Sequence, residues 1–210
     1  MDINMDLITA EVKKAFDTFV ENIVVYIVGF IIALIGVFVF IFAGPAIYGM
    51  SYMILKGSRG EKVEIKDVFY GMSSVEMFIR SWIGLIGVAI VPVALCIGCV
   101  VIILILTLIS PTMGLMLGML LYLVLLVAMF VIGIFLYYAL YIYVMTPSEN
   151  IMYAIKESIS ISKSNTIMVI LTMIIASILS ILYVTAPLGS LFAVNMLKQL
   201  KPDIKDNSGI

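Results

Sequence analysis

The sequence predicts an all-α protein, a polytopic helical bundle in a membrane. Of its 210 residues, 64% are hydrophobic and only 12% are charged, and soluble domains carry about twice that charged fraction. The mean hydropathy is +1.25. Residues 81–148 contain no Asp, Glu, Lys or Arg, a run too long for one crossing, which needs about 20 residues. We therefore expect a single membrane domain over residues 1–210.

Composition also limits the classes of function. The chain has no His and a net charge of −1, so it lacks the commonest metal ligand and acid–base group, and also the basic footprint of a nucleic-acid binder. Cys96 and Cys99 lie in an apolar run without further Cys or His to complete a site. We interpret them as small packing residues. The sequence predicts no cofactor, no metal and no nucleic-acid partner.

The chain begins with an amphipathic helix at 7–21, because apolar and charged residues alternate there at helical spacing. Such a helix either lies in the membrane interface or packs on the protein as a solvated helix. Residues 22–43 follow, and their charge-free part matches the ~30 Å thickness of a hydrocarbon core when helical. The acidic start does not resemble a secretory signal, so we expect this span to be retained.

Gly44 and Pro45 predict a turn after this span. Glycine is common just past a helix end, and proline is favoured at the start of the next helix. We expect 45–57 to be a short helix that forms a hairpin with 22–43, followed by a cytoplasmic loop at 58–80. Four basic residues of this region are candidate contacts for anionic lipid headgroups or a partner protein: Lys56, Arg59, Lys62 and Arg80.

Two further hairpins, an amphipathic helix and a tail complete the predicted chain. Segments 81–109 and 112–145 form a long hairpin that turns at Pro111. Residues 148–164 form a second amphipathic helix. A last hairpin joins 165–185 to 187–200 through Pro187, and a polar tail occupies 201–210.

The two ends of the chain resemble each other. Asn22 and Asn165 each follow an amphipathic helix and precede an apolar span, which ends in a small residue and a proline. The pattern predicts a pseudo-repeat of the first and last hairpins. The alternative is two unrelated hairpins with ordinary turn residues.

The distribution of basic residues favours one topology. If the segments after Pro45 and Pro187 continue their spans as kinked helices, there are four spans and the twelve basic residues divide seven to five. If they turn back, there are six segments, and all twelve lie on one face. The positive-inside rule favours the second arrangement. We therefore predict four long and two short membrane helices, with two cytoplasmic amphipathic helices and both termini cytoplasmic, in the cytoplasmic membrane.

Two stretches carry a family resemblance. The string from Gly44 to Met72, with its Gly-Pro turn and its Arg-Gly-Glu loop, resembles a hallmark of prokaryotic multi-span membrane proteins grouped as a domain of unknown function. The second stretch runs from Ala154 to Asn165. Relatives have Leu where this chain has Ala46. The layout is also similar to the membrane region of some glycerophosphodiester phosphodiesterases. The resemblance implies the six-segment layout and no activity.

The predicted function is that of a non-enzymatic accessory, scaffold or regulatory component of a membrane complex. Proton-coupled and ion-coupled transporters usually carry charged residues within their spans, and the predicted spans of this chain carry none. No group of residues has a spacing diagnostic of catalysis. Its partners would be the lipid bilayer and a membrane protein or a second copy. The alternative is a small-solute or lipid transporter whose short helices line a cavity. A membrane-embedded lipid enzyme is the third hypothesis.

Overall fold

The computed structural model describes residues 5–182 and 185–204, and within these ranges the chain is helical, without strands. This confirms the all-α prediction. Residues 183–184 of the predicted last hairpin and 205–210 of the predicted tail lie outside the described residues. The α-helices are α1 Met5–Glu21, α2 Ile23–Phe38, α3 Ala43–Ser58, α4 Val75–Ile109, α5 Pro111–Leu136, α6 Ala139–Met145, α7 Ile151–Ser164, α8 Thr166–Leu179 and α9 Ala186–Leu200, with 3-10 helices at Phe40–Phe42 and Ile65–Met72.

Helices α4 and α5 form a long antiparallel hairpin. Pro111 is the first residue of α5, and the Ser110 hydroxyl at the tip caps that helix. Gly114 lies against Thr107 and Gly118 against Ile103, so the two helices run in opposite directions. The 35 residues of α4 extend about 52 Å at 1.5 Å per residue, more than a hydrocarbon core requires. Both α4 and the stretch Pro111–Met145 are long and apolar enough to cross a membrane.

Helices α2 and α3 form a second, shorter hairpin. Gly29 faces Met53 and Gly36 faces Ala46, so these helices are also antiparallel. The chain reverses over 39–42, before the Gly44-Pro45 pair, because Val39 has extended backbone angles that end α2. Gly44 and Pro45 lie in the first turn of α3. Proline fits there because the amide hydrogen that it lacks would have no partner within the helix.

Helices α2 and α8 are shorter than the long helices predicted at 22–43 and 165–185. Helix α2 has 16 residues and α8 has 14, about 24 and 21 Å in length. The extended Val39 ends the first, and non-helical angles at Ser180 end the second. Each joins its amphipathic neighbour at a sharp bend, 85° between α1 and α2 and 104° between α7 and α8. Among the described residues, two helical stretches are thus long and apolar enough to span a membrane, or up to four if each bent pair is one span.

Helices α3 and α9, which contain Pro45 and Pro187 in their first turns, form the centre of the body, the part of the fold outside the α4–α5 hairpin. Most of their residues are buried, including Leu55 of α3 and Phe192 of α9. Helices α2 and α8 lie outside them and expose large apolar side chains, such as Phe38 and Ile178. A soluble monomer rarely exposes extensive apolar surface. A body that is apolar both inside and outside is therefore suited to lipid surroundings.

The segment 65–72 folds back along α3 before α4 begins. The backbone of Val68 lies against Gly49, and the backbone of Pro45 lies against Gly71. The chain thereby returns from the C-terminal end of α3 to its N-terminal end. Trp82 of α4 consequently packs on Gly44.

The sequence did not predict this contact. The six-segment arrangement puts the Gly44-Pro45 turn and the start of the long hairpin on opposite membrane faces. In the structure the indole of Trp82 donates a hydrogen bond to the carbonyl of Ile41 over 3.2 Å, and its ring lies tilted against that of Phe40. The two regions meet because 65–72 follows α3 instead of staying at one end of it, and the six-segment layout stays a prediction.

The close approach of Val68 to α3 depends on Gly49. A methyl group at this position would overlap the carbonyl of Val68, so we expect Gly49→Ala to lower the free energy of unfolding by about 1–3 kcal/mol. Gly98→Ala is the matched control, because no atom lies within 4 Å of its added Cβ and alanine is the better helix former. Thermal unfolding in detergent, followed by the fluorescence of Trp82, measures both. Equal stability of the two variants would contradict the proposed packing.

Candidate functional site at the base of the long hairpin

Arg80 joins the long hairpin to the body. Its Nε donates to the Tyr48 hydroxyl at 3.2 Å, and its Nη1 donates to the Glu149 carbonyl at 3.1 Å. Its Nη2 donates to the carbonyls of Tyr143 and Thr146, both at 2.9 Å. Four of the five guanidinium N–H donors are therefore engaged. One side chain of α4 thus holds α3, α6 and the 146–149 turn together.

The environment of Arg80 is neutral and aromatic. The guanidinium carbon lies 4.0 Å from the centre of the Tyr143 ring, a cation–π contact. Tyr48 packs edge-on against the same ring, and Tyr70 stacks on Tyr48. Among the described residues, each hydrogen bond of Arg80 goes to a hydroxyl or a carbonyl. The positive charge of Arg80 is stabilised by carbonyl and hydroxyl dipoles and by an aromatic ring. Because these groups occupy most of its donors, Arg80 is better suited to joining helices than to binding an anion.

Two serines of α7 enter the same junction from the other side. The Ser158 hydroxyl donates to the Phe135 carbonyl at 2.7 Å and accepts from the Tyr138 amide at 3.3 Å. The Ser162 hydroxyl donates to the Ile134 carbonyl at 2.8 Å. Side chains that insert into a helical hydrogen-bond ladder commonly bend or break the helix. These contacts coincide with the break between α5 and α6, so they position the end of the long hairpin.

A second polar cluster lies at the C-terminal end of α3. The Lys56 ammonium lies 3.0 and 2.9 Å from the two carboxylate oxygens of Asp67, and the Asp67 side chain is almost fully buried. Asp67 also accepts from the Glu64 amide at 2.8 Å, which fixes the start of the 65–72 segment. A buried charge without its partner is costly. This pair therefore holds 65–72 on α3.

Lys62 and Lys66 of this loop are open to solvent, whereas the side chain of Arg59 is only 15% exposed. Arg59 pairs with Glu61 over 3.2 Å. Lys62 is 86% exposed and lies 3.6 Å from Glu64. Lys66 forms the closer pair with Glu64, at 2.6 Å, and their hydrogen bond and mutual attraction lower the pKa of Glu64 and raise the pKa of Lys66.

Of the four predicted contact residues, Lys56 and Arg80 are thus engaged in internal contacts. Lys62 keeps its side chain largely available to solvent. Nothing in the geometry tests a lipid-headgroup role for any of the four, which stays a prediction.

Helix α9 ends among polar partners from α1 and α3. Lys198 donates to the Ser58 hydroxyl at 2.8 Å. Gln199 donates to Oε1 of Glu11, also at 2.8 Å, and Oε2 of this buried carboxylate has no hydrogen-bond partner within the described residues. Asn195, one turn earlier, is buried as well. These contacts fix α1 across the end of the body.

The predicted turn prolines start helices. Pro111 opens α5 at the exposed tip of the long hairpin, whereas Pro187 is a buried residue in the first turn of α9. Both positions need no amide hydrogen. Pro45 and Pro187 therefore begin the two central helices.

A cavity of about 270 Å³ lies between α2, α3, the end of the long hairpin and α9. Its lining is mainly apolar, with hydroxyls from Ser51, Tyr141 and Ser190. The transporter hypothesis calls for a polar cavity near Gly44, Asn195 and Pro187, and none of these three residues lines this one. Within 5–182 and 185–204, no three potential metal ligands lie together.

Sequence reasoning missed the roles of Ser158 and Ser162. Both lie on the inward-facing side of the amphipathic helix 148–164, among Ala154 and Ile161. Hydroxyls on an otherwise apolar inner face are a signal that a partner with free polar groups lies opposite. The carbonyls that these hydroxyls bind are free because the helix breaks between α5 and α6. Nothing in the sequence indicates this break, since it contains no proline near that point.

Comparisons with protein-family models, with curated proteins and with solved structures found no match for this chain. The family resemblance carried by Gly44–Met72 therefore stays a prediction.

Replacing both serines of α7 tests the junction. We expect Ser158→Ala with Ser162→Ala to lower the free energy of unfolding by about 2–3 kcal/mol, because three hydrogen bonds of about 1 kcal/mol each are lost. Ser160→Ala, an exposed site on the same helix, is the control and should leave stability unchanged. Chemical denaturation in detergent compares the variants. A double variant as stable as the control would refute the role given to these hydroxyls.

The clamp predicts that lysine cannot replace Arg80. An ammonium has three donors without a planar fork, so Arg80→Lys leaves carbonyls of the 146–149 turn unsatisfied. We expect faster limited proteolysis at 146–150 and a loss of about 1.5–3 kcal/mol in unfolding free energy. Lys163→Met removes an exposed cation from α7 and should change neither readout. Wild-type protease resistance of Arg80→Lys would contradict the clamp.

Proposed function

We propose that this protein is a non-enzymatic integral membrane protein that acts as an accessory or scaffold component of a membrane complex. The observation that carries the proposal is the outer part of the α4–α5 hairpin. Between Leu95 and Leu126 it is charge-free and largely exposed, and its two helices pack on each other at Gly114 and Gly118. A hairpin of this length and apolarity is suited to crossing the bilayer and offering its lipid-facing sides to other membrane helices.

A shallow apolar groove on α4 supports a helical partner. It encloses about 380 Å³, and the small side chains of Ala89 and Ala94 lie among its larger apolar residues. The groove is lined by Ile86, Ala89, Ile90, Val93, Ala94 and Ile97. In lipid, small residues on a helix surface favour association because they let two backbones approach closely. The expected partner is therefore a transmembrane helix of another protein or of a second copy.

Several features support the finer layout that we infer. Asn22 and Asn165 have similar backbone angles, φ −119 and ψ 26 against φ −135 and ψ 38, and each stands at a bend of roughly a right angle. This similarity supports a pseudo-repeat of α1–α3 and α7–α9. Together with the charge distribution it favours a cytoplasmic base for the long hairpin and cytoplasmic termini, in the cytoplasmic membrane.

Purification in a mild detergent tests the scaffold function. The tagged protein should bring down a stoichiometric membrane partner, and Ala94→Leu should reduce its recovery severalfold because leucine fills the groove. Val91→Leu adds bulk at an exposed site on another side of α4 and should keep the partner. Recovery of the bare monomer from native membranes would count against the proposal, and so would equal recovery by both variants.

A further inference from the structure

The surface of helix α1 has three faces of different character. The first packs on the body through Ile8, Ala15 and Phe19, which are almost fully buried. The hydrogen bond from Gln199 to the carboxylate of Glu11, at 2.8 Å, lies on this same face and fixes the rotation of α1 about its axis. The directions of the other two faces are therefore set.

The second face is apolar and exposed. Met5 is 62% exposed, Phe16 54% and Val20 48%, and at 100° per residue the three lie within an arc of about 60°. The third face is charged and carries Asp6, Lys14, Asp17 and Glu21. A helix that only packs on a protein in water needs one apolar and one polar face. The second apolar face of α1 therefore requires another apolar environment.

The bend at Asn22 sets α1 almost perpendicular to α2 and brings it next to further exposed apolar residues. Helix α1 meets α2 at 85°, and α2 opens with Ile23 and Val24, which are 40% and 67% exposed. If lipid covers the outer side of α2, a helix perpendicular to its end lies along the membrane plane. Lys13 borders the apolar face of α1 by the same helical arithmetic, where its aliphatic stem can lie on lipid while the ammonium reaches water.

We propose that α1 is an interfacial helix, with Met5, Phe16 and Val20 inserted at the boundary between phospholipid headgroups and acyl chains. Lys13 then lies at the level of the phosphates, where anionic lipids attract it. The inference rests on the proposed membrane insertion of the long hairpin, and it decides between the two roles that the sequence left open for this helix. A protein partner fits less well, because the charges lie on the face that points away from both body and lipid.

Spin-label accessibility tests the depth of each face. Single cysteines at Phe16, Asp17 and Leu104 are introduced with Cys96→Ala and Cys99→Ala, labelled, and reconstituted in phosphatidylcholine vesicles that contain phosphatidylglycerol. The Phe16 label should collide severalfold more with oxygen than with a water-soluble nickel chelate, relative to the label at Asp17, one residue away on the charged face. The Leu104 label, in the outer part of the long hairpin, reports on membrane insertion itself.

Each outcome separates the two proposals. A Phe16 label as accessible to nickel as the Asp17 label overturns the interfacial helix, and so does a Phe16 label shielded from both reagents, as a protein cover would produce. If the Leu104 label is lipid-exposed in either case, only the inference about α1 fails. If the Leu104 label is also in water, the proposed membrane insertion fails with it.

Discussion

The guanidinium of Arg80 is the interaction on which the architecture depends. The long hairpin is largely exposed between Leu95 and Leu126, and its base packs against the body. There Arg80 binds a hydroxyl of α3 and carbonyls of α6 and the 146–149 turn. Tyr143 and Thr146 are buried, so their carbonyls have few alternative donors, and these contacts are worth more than the same contacts on a wet surface. Ser158 and Ser162 complete the attachment from α7.

A second constraint applies to the body: its helices must approach one another closely, because the hydrophobic effect gives little driving force for helix association in lipid. Apolar side chains are as stable against lipid as against another helix, so helices in a membrane associate through complementary shape and polar contacts. Glycines supply the shape, as where Gly49 and Gly71 let the 65–72 segment lie on α3. The Lys56–Asp67 pair supplies the polar contact. The same logic makes α3 and α9 the centre of the body, although they are among its least hydrophobic helices.

The sequence was informative where a single physical property decides the structure. Apolarity over residues 81–148 is enough to predict membrane-capable helices, and helical periodicity is enough to predict an all-α chain. It was less informative where the outcome depends on contacts between distant residues. The fold-back of 65–72 onto α3 depends on small residues at 49 and 71 meeting backbone across space, and no local pattern marks such a pair.

The turn of the first hairpin shows the same limit on a smaller scale. Gly44 and Pro45 are the strongest turn residues of that region, yet the chain reverses at 39–42, where Val39, Phe40 and Ile41 carry no turn signal. The pair instead fits inside the start of α3, where Gly44 makes room for the ring of Trp82. The positive charge of Arg80 was enough to select it as a candidate residue from the sequence. Its aromatic and carbonyl partners could not be predicted, because they come from three separate elements of the fold.

The central claim is that the α4–α5 hairpin crosses the bilayer with its base on the cytoplasmic side. Sided labelling of single cysteines in intact cells tests it most directly, with Thr112→Cys at the tip and Ser148→Cys at the base, both in a background without Cys96 and Cys99. Both positions are exposed. The account predicts that an impermeant maleimide labels Thr112→Cys from outside and Ser148→Cys only after permeabilisation. Labelling of both positions from the same side would contradict it.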